Sequence, residues 1–258
     1  MHVDFTLPQP TGSGCFFPSS NGLAAGNHLL EAVSAAICEV VERDAAALWR
    51  LLDDAAQQAT RLDLATVDDP PCQEVLARYA RAGVAVGVWE ITSDVGLAAF
   101  FCLIADAEED PLHPVYAAAG QGCHPAREVA LLRALTEAAQ SRLTAIAGSR
   151  DDLARRDYER TAHPDTLRAH RALLGGAAGQ RAFAAAPTFV GATFNEDVAY
   201  ELECLRAVGV ERVVLVDLTR ADFRLPVARI VIPGLETASS LPGHVPGPRA
   251  RARAEGRL

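Results

Sequence analysis

Three glutamates, an asparagine and an arginine punctuate one apolar stretch, Gly26-Asn27-His28-Leu29-Leu30-Glu31-Ala32-Val33-Ser34-Ala35-Ala36-Ile37-Cys38-Glu39-Val40-Val41-Glu42-Arg43-Asp44. Read as a helix at about 100° per residue, Glu31, Glu39 and Glu42 fall within about an 80° arc. Leu29, Leu30, Val33, Ile37, Val40 and Val41 take the opposite side, which would face the core. Three carboxylates on one face repel one another unless a cation sits between them. Magnesium suits that place, because it is a hard ion that takes carboxylate oxygens and brings phosphates with it. A Glu-rich face is also what an ordinary solvated helix shows. No lysine stands at helical spacing to neutralise it, and Arg43 fits either a plain surface ion pair or a phosphate contact. The pattern alone leaves both readings open.

A second stretch follows the same logic. Gly120-Gln121-Gly122 leads into a predicted helix over 125–146, on which Arg133, Glu137 and Gln140 share about a 60° arc. Leu131, Leu132, Leu135 and Leu143 line the other side, and Arg142 lies among them as a structural residue. Two strand-turn-helix units presenting polar faces to a shared cleft would result.

The remaining elements must position these two helices. Residues 1–20 are broken by Pro8, Pro10, Gly12, Gly14 and Pro18 and read as an irregular lead-in. A short strand and turn over 20–26 opens the first long helix, predicted to run to about Gln57. Pro70-Pro71 starts a helix ending near Gly83. Strands are expected over 84–89, 97–104 and 116–120. Residues 150–187 are charged, then Ala/Gly-rich, and read as a mobile insertion or lid. A helix over 195–208 and strands over 213–217 and 228–232 close the domain. Strands alternating with helices predict an α+β fold of α/β layers, with a mixed sheet. Its boundaries are expected at 21–238, followed by a basic, disordered tail over 239–258 that holds Arg249, Arg251, Arg253 and Arg257.

Composition excludes several function classes. With 258 residues, half of them apolar, the chain can bury a full core. A net charge of −9 argues against a nucleic-acid surface. Met1 to Phe5 lacks the basic-then-apolar form of a signal peptide. The longest apolar run, Val95 to Ala105, is too short to span a bilayer. Six scattered cysteines without C-x-x-C spacing read as reduced core residues, and adjacency alone does not make Cys123-His124 a catalytic dyad. A soluble cytoplasmic protein is expected, with no nucleic-acid or membrane partner.

Three stretches together resemble the YcaO family: SSNGLAAGNHLLEAVSAAICEVVERDA (19–45), GQGCHPAREVALLRALTEAAQSRLTAIAGSRDD (120–152) and RIVIPGLE (229–236). The resemblance covers about 5–236. It implies an ATP-dependent enzyme that phosphorylates a peptide-backbone amide oxygen. An internal Cys, Ser or Thr would then give an azoline, or external sulfide a thioamide. The form is most similar to the subgroup that works on thioamides with TfuA-like partner proteins. By position, the resemblance makes Asn27 and Glu31 residues of the ATP or metal site. It makes Glu39 and Glu42 magnesium carboxylates and Arg43 a phosphate contact, and places Arg133 and Glu137 in the nucleotide site. The expected cofactors are therefore ATP and Mg2+, with Glu31, Glu39, Glu42 and Glu137 for the metal and Asn27, Glu31, Arg43 and Arg133 for the nucleotide.

The family pattern also has an earlier Gly-rich segment and a Ser-x-x-x-Glu-x-x-Glu helix, neither found in this sequence. The resemblance therefore implies a YcaO-like domain that is N-terminally incomplete, these residues being its C-terminal portion. A Pro-x-Pro-x-Pro ending is lacking as well, which favours thioamidation over cyclodehydration. Three outcomes stand open: an ATP- and magnesium-dependent modifier of a peptide or protein substrate; a non-catalytic accessory or binding fragment that has lost ATP turnover; and an inactive remnant. Some family members are labelled accessory factors for modification of ribosomal protein S12. A missing N-terminal layer would expose apolar faces, and a homodimer would cover them.

Overall fold

The computed structural model describes residues 19–108, 117–148, 163–176, 178–237 and 245–258. A central helix, α1 (Leu29–Trp49), lies between two small sheets. On one side, β1 (Leu23–Ala25), β6 (Val227–Val231) and β5 (Val214–Asp217) pair antiparallel in the order β1-β6-β5. On the other, β2 (Val84–Glu90), β3 (Ala98–Asp106) and β4 (Ala118–His124) form an antiparallel meander. The fold is α+β, as expected; the strands form two antiparallel sheets in place of one mixed sheet.

The β2-β3-β4 sheet is covered on both faces, which is why β3 reads as the near-continuous apolar run AAFFCLIA. Trp89, Ala99, Leu103 and Cys123 face α1 and α5 (Pro164–Leu174). Val88, Ala98, Phe100, Cys102 and Ile104 face α3 (Pro70–Arg81) and α4 (Arg127–Ala147). Successive strand residues point to opposite faces, so one strand feeds two cores.

α1 is buried over most of its circumference, against both sheets and α6 (Phe194–Ala207). Its start is fixed by His28 Nδ1, which accepts the Leu30 N–H at 3.2 Å, and by Glu31 Oε2, which accepts the Asn27 N–H at 2.6 Å. The helix expected to reach Gln57 stops at Trp49. Asp53 Oδ1 accepts the Ala56 N–H at 2.8 Å and caps a separate short helix, α2 (Asp54–Ala59).

Three further expectations are corrected. The strand expected over 116–120 begins at Ala118 and runs through the Gly120-Gln121-Gly122 lead-in to His124. Of the stretch expected as a lid, 150–162 and 177 lie outside the described residues. The described remainder is packed: α5 (Pro164–Leu174) is held through its Leu173 and Leu174 carbonyls by Arg61, Arg181 pairs with buried Glu90, and the Phe183 side chain is buried against Phe100.

The third is the basic tail, of which residues 245–258 carry α7 (Pro248–Ala254) docked on α1. Arg249 grips Asp44 with Nε at 3.0 Å and Nη2 at 2.9 Å, and Asp94 with Nη1 at 3.1 Å and Nη2 at 2.5 Å. Glu236 accepts the Gly247 and Ala250 N–H groups at 2.9 and 3.0 Å. An arginine matched to two carboxylates is ordered by them, whatever the composition around it. No helix among the described residues is long and apolar enough to cross a membrane.

Candidate functional site

Gly120 and Gly122 let α4 lie directly on β4. A Cβ at Gly120 would stand 2.2 Å from Ala138 N and 2.4 Å from Ala134 O, and one at Gly122 would stand 2.1 Å from Ala130 O. Ala130, Ala134 and Ala138 recur every four residues and all are fully buried. This approach of small residue to small residue brings the next flank of α4, with Arg133 and Glu137, up to the polar face of α1.

On α1, Arg43 stands between two glutamates, Nη1 3.2 Å from Glu42 Oε1 and Nη2 3.9 Å from Glu39 Oε1. Nη1 also donates to Gln121 Oε1 on β4 at 2.9 Å, tying the two units together. Glu39 accepts the Gly22 N–H through Oε2 at 3.1 Å. Burial raises its pKa, opposed by Arg43, Arg229 and Arg133. Glu42, whose side chain is only 3% exposed, is pushed up to about 7 by burial. Glu137 and Glu39 raise it further, while Arg43 and Arg133 hold it down.

The structure thus gathers Glu39, Glu42, Arg43, Arg133 and Glu137. It does not bring Glu31 and Asn27 to the same spot. Glu31 lies eight residues before Glu39, about 12 Å along the helix axis, and its carboxylate is engaged with the Asn27 backbone at the rim. Gln121 and Arg229 belong to the cluster and had no role in the sequence reading. Gln121 reads in sequence as part of a Gly-rich lead-in to the helix, although a glutamine between two glycines next to a cysteine also fits a strand under a close-packed helix. Arg229 is buried on β6, near Glu39, and donates Nη1 to Ser19 O at 2.5 Å. The signal for it was an arginine inside the apolar strand VARIV.

His124 ends β4 beside the cluster, feeling both Asp197 on α6 and Arg133. Burial lowers its pKa, and its Nδ1 accepts the Ala126 N–H at 3.0 Å, which leaves the proton on Nε2 in the neutral ring. Cys123 points into the core on the other face of β4, so Cys123 and His124 form no dyad.

The donor set fits a hard divalent cation bound together with phosphate. Glu42 is buried with Arg43 as its ion-pair partner and lies near two other carboxylates, so added positive charge would favour its ionised form. Arg43 and Arg133 supply the planar donors that phosphate oxygens take. Among the described residues no three carboxylate, histidine or cysteine side chains are already grouped as metal ligands, Arg43 standing between Glu39 and Glu42.

Comparison with known proteins gives a consistent result. The family model described as YcaO cyclodehydratase, ATP- and Mg2+-binding, matches residues 1–236. An uncharacterized protein in the tfuA 3' region of Rhizobium leguminosarum bv. trifolii is 37% identical over 237 residues, 91% of this chain and 56% of that protein. The chain thus spans little more than half the length of this relative. A heterocyclase solved in complex with substrate and cofactor superposes with a TM-score of 0.76 at 25% identity, over 97% of this chain and 33% of that one. The YcaO structure from Methanopyrus kandleri, bound with AMPPCP and Mg2+, shares the fold at a TM-score of 0.69 and 23% identity, over 92% of this chain and 63% of its own.

Proposed function

The chain belongs to the YcaO family, and from that premise we propose that it serves ATP- and magnesium-dependent activation of a peptide-backbone amide. The observation that carries this reading is the single cluster in which Arg43 bridges Glu39, Glu42 and Gln121, with Arg133 and Glu137 alongside. Magnesium, when bound, would neutralise phosphate charge and orient the transferred group. Glu39, Glu42 and Glu137 would hold it, and Glu31 and Asn27 would serve the nucleotide from the rim of the helix. Arg43 and Arg133 would bind phosphate oxygens, Arg43 with its guanidinium aimed by Gln121. A peptide or protein is the substrate class, in line with the heterocyclase solved with its substrate.

Between the two outcomes of amide activation, we favour thioamide formation with a TfuA-like partner protein. The gene neighbourhood in the name of the Rhizobium relative supports this choice. Calorimetric titration with ATP, with and without magnesium, tests the central reading. We expect saturable, magnesium-dependent binding that falls at least tenfold, about 1.4 kcal/mol, in Arg43→Ala and in Glu42→Gln. ATP binding that ignores magnesium, or is absent, would leave a binding fragment without nucleotide chemistry.

A further inference from the structure

His124 stands at the end of β4 with one ring nitrogen used and one spare. Nδ1 accepts the Ala126 N–H at 3.0 Å. His28 and His163 make the same local cap, accepting the Leu30 and Asp165 N–H groups at 3.2 and 3.3 Å. The turn into α4 therefore accounts for Nδ1 and for nothing more of the ring. Asn, Asp or Ser would cap such a turn with a shorter side chain. What histidine adds is Nε2. An acceptor at Nδ1 puts the neutral ring's proton on Nε2. The ring is half-buried, and Nε2 has no partner among the described residues.

The place of that spare donor follows from the strand register. Gly122 and His124 project from the same face of β4, about 7 Å apart. A Cβ on Gly122 would stand 2.8 Å from the Arg133 Cβ. The root of Arg133 thus lies over the face from which His124 projects. The charged groups that the ring feels are Arg133 on α4 and Asp197 on α6, while Cys123 packs into the core on the opposite face. A ring held in this tautomer cannot take up a proton at Nε2, since moving its own proton to Nδ1 would set it against the Ala126 N–H. It can donate. A neutral donor beside an arginine suits an oxygen of a bound anion, because it adds a hydrogen bond without adding charge.

We propose that His124 donates its Nε2–H to an oxygen of the phosphate chain held by Arg133. The proposal rests on the nucleotide reading of the acid-arginine cluster. It adds to that cluster an uncharged contact supplied by β4, whose position is fixed by the cap on Ala126.

The test compares the whole wild-type chain with His124→Asn, which keeps the cap and removes the far nitrogen. Calorimetry is run with ATP and with inorganic tripolyphosphate, each with magnesium. Both ligands should bind His124→Asn about tenfold more weakly, with an unchanged urea-unfolding midpoint. NMR of isotope-labelled imidazole nitrogens near neutral pH gives a second readout. The His124 signal, identified by its absence from His124→Asn and His124→Gln, should show the Nε2–H tautomer and shift when magnesium and tripolyphosphate are added. Where His124→Asn unfolds more readily, that shift in the wild type decides. Wild-type affinity in a stable His124→Asn would leave the cap as the residue's whole role and overturn the proposal. A loss confined to ATP would also overturn it, by placing the ring at the base or sugar. So would an Nδ1–H tautomer, or a signal that answers to Asp197→Asn and not to tripolyphosphate. A wild type that binds neither ligand would overturn the nucleotide reading itself, and this contact with it.

Discussion

Arg43 Nη1 lies 2.9 Å from Gln121 Oε1 and 3.2 Å from Glu42 Oε1, so one guanidinium nitrogen joins α1 to β4 at a buried carboxyl group. Gln121→Ala removes the acceptor that aims Arg43 while keeping its charge. Magnesium-dependent ATP affinity should then fall by about three- to fivefold, less than in Arg43→Ala, because orientation is lost and charge is not. Calorimetry on the two single variants and the double variant checks this, and the double should be no weaker than Arg43→Ala alone.

Arg249→Ala strips fully buried Asp44 of its bidentate partner and leaves it, among the described residues, the Glu236 N–H at 2.8 Å. A loss of about 3–5 kcal/mol is expected, as for a broken buried pair. Asp44→Asn in the same chain should recover part of it by removing the stranded charge. Urea unfolding of the single and double variants measures both.

Gly120→Ala should be among the most damaging small substitutions in the chain, since its methyl would meet backbone atoms of α4 at 2.2 and 2.4 Å. A cost of about 3 kcal/mol or more is expected, because helix and strand must separate. Gly96→Ala is the comparison: φ is +79° with open space around the Cβ position, so only the left-handed backbone penalty applies, about 1 kcal/mol. Thermal melts of the two variants should rank in that order.

Stability should fall as pH rises toward 8. Glu201, on α6, is fully buried, with Oε1 accepting from Ser34 Oγ at 2.5 Å and from Cys38 Sγ at 3.4 Å. Burial pushes its carboxyl up to about 8 from an ordinary 4.5. The folded state therefore holds a proton that the unfolded chain releases at lower pH. The stabilisation is fully present below about 4.5 and is lost as pH passes through about 8. Glu201→Gln should flatten stability against pH over that window, by an amount on the order of a few kcal/mol, read from urea unfolding at each pH. A profile as steep as that of the wild type would exclude Glu201 as its source.

Local pattern carried much of the fold. Pro70 with its Asp69 cap, the apolar run of β3 and the amphipathic α4 each declared their element, because a backbone period and a cap act within a few residues. The elements misread in sequence are those that distant groups control. Gln121 and its flanking glycines look like a lead-in to the helix until they are seen as a strand with α4 laid over them. The tail looks like a disordered basic segment until Asp44 and Asp94, both more than 150 residues away, are seen to take Arg249.

For the candidate site, the sequence by itself determined that Glu31, Glu39 and Glu42 share one side of a helix, and that Arg133 and Glu137 share a side of another. Helical geometry fixes those relations within each segment. Only the tertiary structure decided that Glu39, Glu42, Arg43, Arg133 and Glu137 meet while Glu31 stays at the rim, and that Gln121 and Arg229 join them. The spacing between two elements is set by what packs between them. Here that is two glycines on β4 against three alanines on α4, which admit no side chain and so draw the polar flank of one helix onto the polar face of the other.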